Sequence, residues 1–138
     1  KRSRKQKKNI TEQKAFIEQL LHQNMHEEAQ KHLITAQKSG PHTELLPLFK
    51  QLVLDKPLPS IKILEKWIKK EPENGLLYST LGHVALHSGD LILAEKAINS
   101  ALEHGQQQED ILLLAQIKAE QENPKEALAL YKQGLSAG

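Results

Sequence analysis

Cysteine is absent from the 138 residues, which excludes a disulfide framework, a zinc-thiolate centre and a thiol nucleophile. Valine occurs twice and threonine four times, a scarcity that favours helices over strands. Long apolar runs are missing as well: none is longer than Ile111 to Ala115, far short of the roughly 18–20 residues a membrane-spanning helix needs. There is no glycine-rich phosphate cradle. Around Ser79, Ser88 and Ser100 there is neither the strained turn nor the paired base of a hydrolase nucleophile. These absences predict a chain without intrinsic catalytic activity. The chain begins at Lys1 with neither an initiator methionine nor an apolar signal region, and is expected to be a piece of a longer or processed protein.

What is there is leucine and alanine, 35 of the 53 apolar residues, a mixture that favours helix. The mass of 15.6 kDa and 38% apolar content suit one domain with a modest core. Charge is unevenly placed. Six of the 19 basic residues (Lys1, Arg2, Arg4, Lys5, Lys7 and Lys8) fall in the first eight positions, leaving a body with net charge −4. The organisation expected is a basic flexible segment over 1–8 and a single helical-repeat domain over 9–138.

Apolar residues recur at three and four: Phe16, Leu20 and Leu21; Ala29, Leu33 and Ala36; Ile61, Leu64 and Ile68; Leu77, Leu81 and Val84; Ala94, Ala97, Ile98 and Ala101. Each series marks one face of a short helix. Asn9 with Glu12 forms a capping box predicted to open the first helix, and Gly40–Pro41 to close the second. Gly89–Asp90 separates two more. Asn123, Pro124 and Glu126 open a last helix running through Leu128, Tyr131 and Leu135. Around Pro47, with Thr43 as a cap, a degenerate helix is expected, followed by a loop over Asp55 to Pro59. Seven or eight helices result.

These helices recur at a fixed period. An offset of 33 residues carries Tyr78, Leu81, Gly82, Ala94, Ile98 and Ala101 onto Ile111, Leu114, Ala115, Ala127, Tyr131 and Gly134. Upstream, Ala29, Leu33, Ala36 and Pro41 are spaced like Ser60, Leu64, Trp67 and Pro72, 31 residues later. Small residues recur where paired helices must approach closely. The unit is similar to the tetratricopeptide repeat: Tyr78, Leu81, Gly82, Ala85, Ala94, Ile98 and Ala101 match its signature, with Gln106 in place of the final proline. The last unit departs at Lys118 and the first at Ile17, both where a small residue is usual. The resemblance implies an all-α, right-handed α-solenoid of about four helix-turn-helix repeats, the second degenerate, whose inner groove binds protein partners. Groove positions would be Leu76, Ser79, His83, Leu86 and His87 in the third unit, and Asp110, Leu113, Gln116 and Glu120 in the fourth. Leu76 and Leu86 are the expected exposed anchors, while Trp67 falls on an apolar stripe and is read as core.

Two histidine pairs, His83 with His87 and His22 with His26, stand one helical turn apart, a spacing open to a metal ion or a haem. Without cysteine, or a glutamate between the histidines, the plainer reading is a solvated helix face; no metal is expected and haem is the alternative. The basic run Lys1 to Lys8 offers contacts to a polyanion. No aromatic residue accompanies it, so nucleic acid is not the expected partner.

A closer resemblance covers nearly the whole chain. The segment from Ile63 to Leu102, with its lysine-rich helix ending at Glu71–Pro72 and then Leu77, Tyr78, Ser79, Thr80, Leu81 and Gly82, resembles the C-terminal part of the HemY-like proteins, as do Asn123, Pro124, Lys125, Glu126, Ala127 and Leu135. Those are bacterial inner-membrane proteins with tetratricopeptide repeats, associated with a late step of haem biosynthesis. The resemblance implies a non-enzymatic scaffold for haem-pathway enzymes. It also implies membrane helices upstream in the parent and a repeat domain on the cytoplasmic side.

Overall fold

The computed structural model describes residues 4–105 and 107–137, with side chains described over 9–105 and 107–136. The first helix, α1 (Arg4–His22), starts ahead of the Asn9–Glu12 capping box, which therefore lies inside the helix. Lysine, arginine and glutamine are good helix formers, and no glycine or proline separates Arg4 from Asn9, so the helix propagates through them at little cost. The side chains of Lys1, Arg2, Arg4, Lys5, Lys7 and Lys8, and with them the expected polyanion contact, lie outside the described ones.

Among the described residues seven further helices follow: α2 (His26–Ala36), α3 (Leu46–Phe49), α4 (Leu58–Lys70), α5 (Gly75–His87), α6 (Leu91–Glu103), α7 (Gln108–Glu120) and α8 (Pro124–Ala137). No strand occurs among the described residues. Helices α1 with α2, α5 with α6 and α7 with α8 pack as hairpins. Along the stack α3 meets α5 and α5 meets α7 in one row, and α2 meets α4 in another. This is an α-solenoid of helical hairpins. Its repeat is exact in backbone terms, since α5 and α7 begin 33 residues apart and so do α6 and α8.

The turn inside each hairpin recurs too. Met25 N–H reaches Leu20 O at 2.8 Å, and Asp90 N–H to Ala85 O and Asn123 N–H to Lys118 O are both 2.9 Å. In each, the residue before the donor is left-handed: Asn24 at φ 60°, Gly89 at 84° and Glu122 at 60°. This helix-ending turn needs a left-handed residue, a conformation glycine adopts without the clash a Cβ brings. Glu122→Gly is expected to raise stability by about 0.5 kcal/mol in urea titration, the left-handed cost less glycine's entropic cost.

The middle is held by tertiary contacts rather than by its own caps. Thr43 does not cap α3. Leu45 occupies that position without a side-chain bond, and the His42 carbonyl accepts from Leu45 N–H at 2.9 Å and Leu46 N–H at 3.1 Å. Leu46, Leu48 and Phe49 are buried, which fixes this one-turn helix. The expected loop ends sooner than Pro59, because Leu58 and Pro59 form the first turn of α4, where proline's missing N–H costs nothing. The orphan groups there are met from α2. Buried Gln30 accepts from Ser60 N–H at 3.2 Å and Ser60 Oγ at 2.6 Å, and donates to the Lys56 carbonyl at 3.1 Å. His26 Nδ1 accepts from Val53 N–H at 3.1 Å and Glu27 from Asp55 N–H at 3.1 Å. Gln30→Ala leaves buried donors on α4 unmatched and is expected to cost about 1–2 kcal/mol, read as a lower urea midpoint at unchanged slope.

Helix α5 is the most enclosed. Leu77, Leu81, Gly82, Val84, Ala85 and Leu86 are all buried, and Trp67 on α4 is core as its stripe predicts. Gly82 faces Ile98 of α6 so closely that a Cβ built on it would overlap Ile98 Cδ1 and lie 2.5 Å from Cγ1. The small residue therefore sets the spacing of the hairpin.

Candidate functional site

The row of α3, α5 and α7 carries a polar cluster drawn from three helical units. Lys50, which closes α3, donates from Nζ to Ser79 Oγ on α5 at 3.2 Å and to Glu109 Oε1 on α7 at 3.0 Å. The Ser79 hydroxyl in turn donates to Asp110 Oδ1 at 2.5 Å. Ser79 and Asp110 are buried, Asp110 being 2% exposed. His83, one turn along α5 from Ser79, has Nδ1 2.9 Å from the Ser79 carbonyl and Nε2 3.2 Å from Glu109 Oε1. Both neighbours only accept, so a neutral His83 donates to one of them at a time.

Burial is the largest influence on His83 and depresses its pKa below the ordinary value of 6.5, with Lys50 acting the same way. The Ser79 carbonyl, Glu109 and Asp110 oppose without prevailing. Protonation of His83 thus favours the unfolded chain. Its stability contribution is intact above pH 6.5 and is lost as pH falls through the depressed folded pKa. Wild type is expected to lose stability relative to His83→Gln between neutral pH and mild acid, in paired urea titrations.

Beside this cluster lies a cavity of about 260 Å³, lined in part by Lys50, Leu76, Ser79, His104, Glu109 and Asp110. His104 stacks on Tyr78 with ring centroids 5.3 Å apart and has Nδ1 2.8 Å from the Ser100 carbonyl. Three positions expected in the groove, Ser79, His83 and Asp110, are therefore brought together, and Leu76 borders them. His87, Gln116 and Glu120 are exposed and separate from the cluster. Leu86, an expected anchor, and Leu113, an expected groove position, are each 6% exposed and packed in the core shared with Ile98, Leu114 and Ile117. Leu76 is half-buried against the other core cluster rather than free. The inner helix of a stack is covered by its own hairpin partner and by both neighbouring units, so the apolar residues left over by the repeat pattern face protein, not solvent.

Sequence reasoning missed Lys50, Glu109 and His104. Lys50 lies in the degenerate unit, 29 residues from Ser79 and 59 from Glu109, distances the repeat period does not mark. The odd residue at Lys118 also finds its reason. It occupies the place of Ala85 one period on, and instead of packing it donates to Glu95 of α6 at 2.8 Å and approaches Glu126 of α8 at 3.3 Å. Lys118 and Gln121 together hold the Glu95 pKa below the usual carboxylate range. The metal reading gains no geometry: among the described residues no three histidine, aspartate or glutamate side chains are grouped to hold an ion. His22 ends α1 and His26 opens α2, so that pair does not share a helix face, and His26 Nδ1 already accepts from Val53 N–H. No helix among the described residues is long and apolar enough to cross a membrane.

The fold and this cluster together define an α-solenoid of stacked helical hairpins with a polar seam along the row of α3, α5 and α7. In sequence the chain is 30% identical over 133 residues to Protein HemY of Escherichia coli K12, and to the same degree to HemY of Shigella flexneri. The alignment takes in 96% of this chain and 33% of HemY, so the chain spans about a third of the length of the curated relatives it matches. It is homologous to their C-terminal region. No known protein-family profile matches the chain.

Proposed function

We propose that this chain is the tetratricopeptide-like repeat domain of a HemY-like protein, a non-enzymatic scaffold that holds a protein partner and supports a late step of haem biosynthesis. The observation that carries the reading is the alignment of α3, α5 and α7 into one face. His87, Gln116 and Glu120 are exposed on α5 and α7, the helices that also carry Ser79, His83, Glu109 and Asp110. A peptide or helix laid across such a row meets several units at once, which is how solenoids gain affinity from shallow contacts. In this reading membrane attachment belongs to another part of the parent protein, in the bacterial inner membrane, with the repeat domain on the cytoplasmic side. The expected partners are haem-pathway enzymes.

The test is capture from detergent-solubilised membranes with the full-length parent, wild type against a His87→Glu, Gln116→Lys, Glu120→Lys triple variant. All three residues are exposed, so folding is expected to survive. Recovery of haem-pathway enzymes with wild type and their loss with the variant supports the reading. Equal recovery, or none, contradicts it. Haem carriage through His83 or His87 is the rival reading; the His83 side chain is only 12% exposed and has Glu109 Oε1 3.2 Å from Nε2, which leaves a porphyrin iron little room to approach it. A haemin titration is expected to give no Soret shift that depends on His83 and His87, and a shift abolished by His83→Ala with His87→Ala would reverse that expectation.

A further inference from the structure

Asp110 is a carboxylate held 98% out of solvent, yet among the described residues its only hydrogen-bond donor is the Ser79 hydroxyl, on Oδ1. A carboxylate accepts at about four lone-pair sites, and a buried one that is under-supplied is costly. The local charge does not balance either. Glu109 and Asp110 face a single ammonium, Lys50, whose described contacts are Glu109 and Ser79. Position in the first turn of α7, where the helix dipole favours carboxylates, accounts for two acids being there. It does not account for one of them being turned inward to border a cavity of about 260 Å³. The remaining wall can take an alkylammonium: Leu76 offers apolar surface for a methylene stem, with His104 and Ala101 beside it.

We propose that this cavity receives a primary ammonium group presented by the bound partner, with Asp110 as its acceptor. The source of that group, a lysine side chain or a free chain N-terminus, shares one chemistry, and the assay separates the two. The inference deepens the scaffold reading and rests on it for the ligand's origin, but the 138-residue chain alone is enough to test it.

Amide shifts of the labelled chain are followed during titration with three peptides: acetyl-Gly-Lys-Gly-amide, Gly-Gly-Gly-amide with a free N-terminus, and acetyl-Gly-norleucine-Gly-amide. Saturable shifts centred on Gly75, Leu76, His104 and Asp110 are expected with one ammonium peptide and not with norleucine, weakening as salt rises. Asp110→Asn keeps an oxygen for the Ser79 hydroxyl and is expected to weaken binding by about tenfold or more. As a second variant, Gln107→Lys changes an exposed residue without a capping bond and places an ammonium of the chain's own at the rim. It is expected to abolish peptide shifts while leaving the rest of the spectrum in place. Absence of shifts with both ammonium peptides, or the same shifts with norleucine, overturns the proposal. If either occurs while membrane capture still depends on His87, Gln116 and Glu120, the cavity assignment fails and the scaffold reading survives. Loss of groove-dependent capture alongside intact ammonium binding is the converse.

Discussion

Phe49→Ala is expected to cost about 3–5 kcal/mol, the range for removing a buried aromatic side chain. Phe49 is 1% exposed and meets Trp67 edge to face with centroids 6.2 Å apart. Its helix, α3, is four residues long, lacks a side-chain cap and has no means of standing alone. Its neighbours Leu45, Leu46, Leu48 and Leu52 are all in the same core as Leu33, Leu64 and Leu77. The truncation therefore leaves a hole where the second unit joins the first and third. Urea unfolding followed by circular dichroism and by Trp67 fluorescence should report one shared, lowered midpoint. If the second unit were a loose connector, the change would cost less than about 1 kcal/mol and the two probes would separate.

Gly82→Val is expected to destabilise by about 3 kcal/mol or more, at the upper end of overpacking penalties, although valine is a better helix former than glycine. The first added carbon would already overlap Ile98, which is fully buried and has no room to retreat. Pairing the change with Ile98→Ala should recover a large part of the loss, because the deleted atoms are those the new side chain meets. A double-mutant cycle with a coupling energy near zero would show that the two helices do not depend on this close approach. The partial fourth-unit counterpart is instructive: Ala115 takes the place of Gly82 and Tyr131 that of Ile98, and Tyr131 is 38% exposed on an α8 face that also shows Leu128 and Leu135.

The later hairpins were legible because their elements carry local signals. Gly89–Asp90 and Asn123–Pro124 punctuate helices whose apolar stripes have a single period, and the structure places α5, α6, α7 and α8 at that period. The start of α1 was not legible, since a capping box is a sequence possibility that a good helix-forming run upstream overrides. For α3 the short helix expected to start near Pro47 is present, but its cap was not legible, since the turn is fixed by burial and by the His42 carbonyl rather than by Thr43. Among the turns, Asn24 and Glu122 take the conformation of Gly89 without being glycine, which hid the recurrence. At the site, the pattern singled out Ser79, His83 and Asp110 but not what joins them, because Lys50 and Glu109 reach across units at separations unrelated to the repeat. Leu86 and Leu113 were misplaced for a packing reason. A residue uncommitted within one hairpin is still committed between hairpins.

The central claim, that the α3–α5–α7 face is the partner-binding side, is tested most directly by site-specific photocrosslinking in intact membranes. A photoreactive side chain is placed in the full-length parent at Gln116 or His87 on that face, or at Lys62 or Ile92 on α4 and α6, all four being exposed. Adducts with a haem-pathway enzyme are expected from Gln116 and His87 and none from Lys62 and Ile92. Adducts from Lys62 and Ile92 alone, or equally from all four positions, would contradict it.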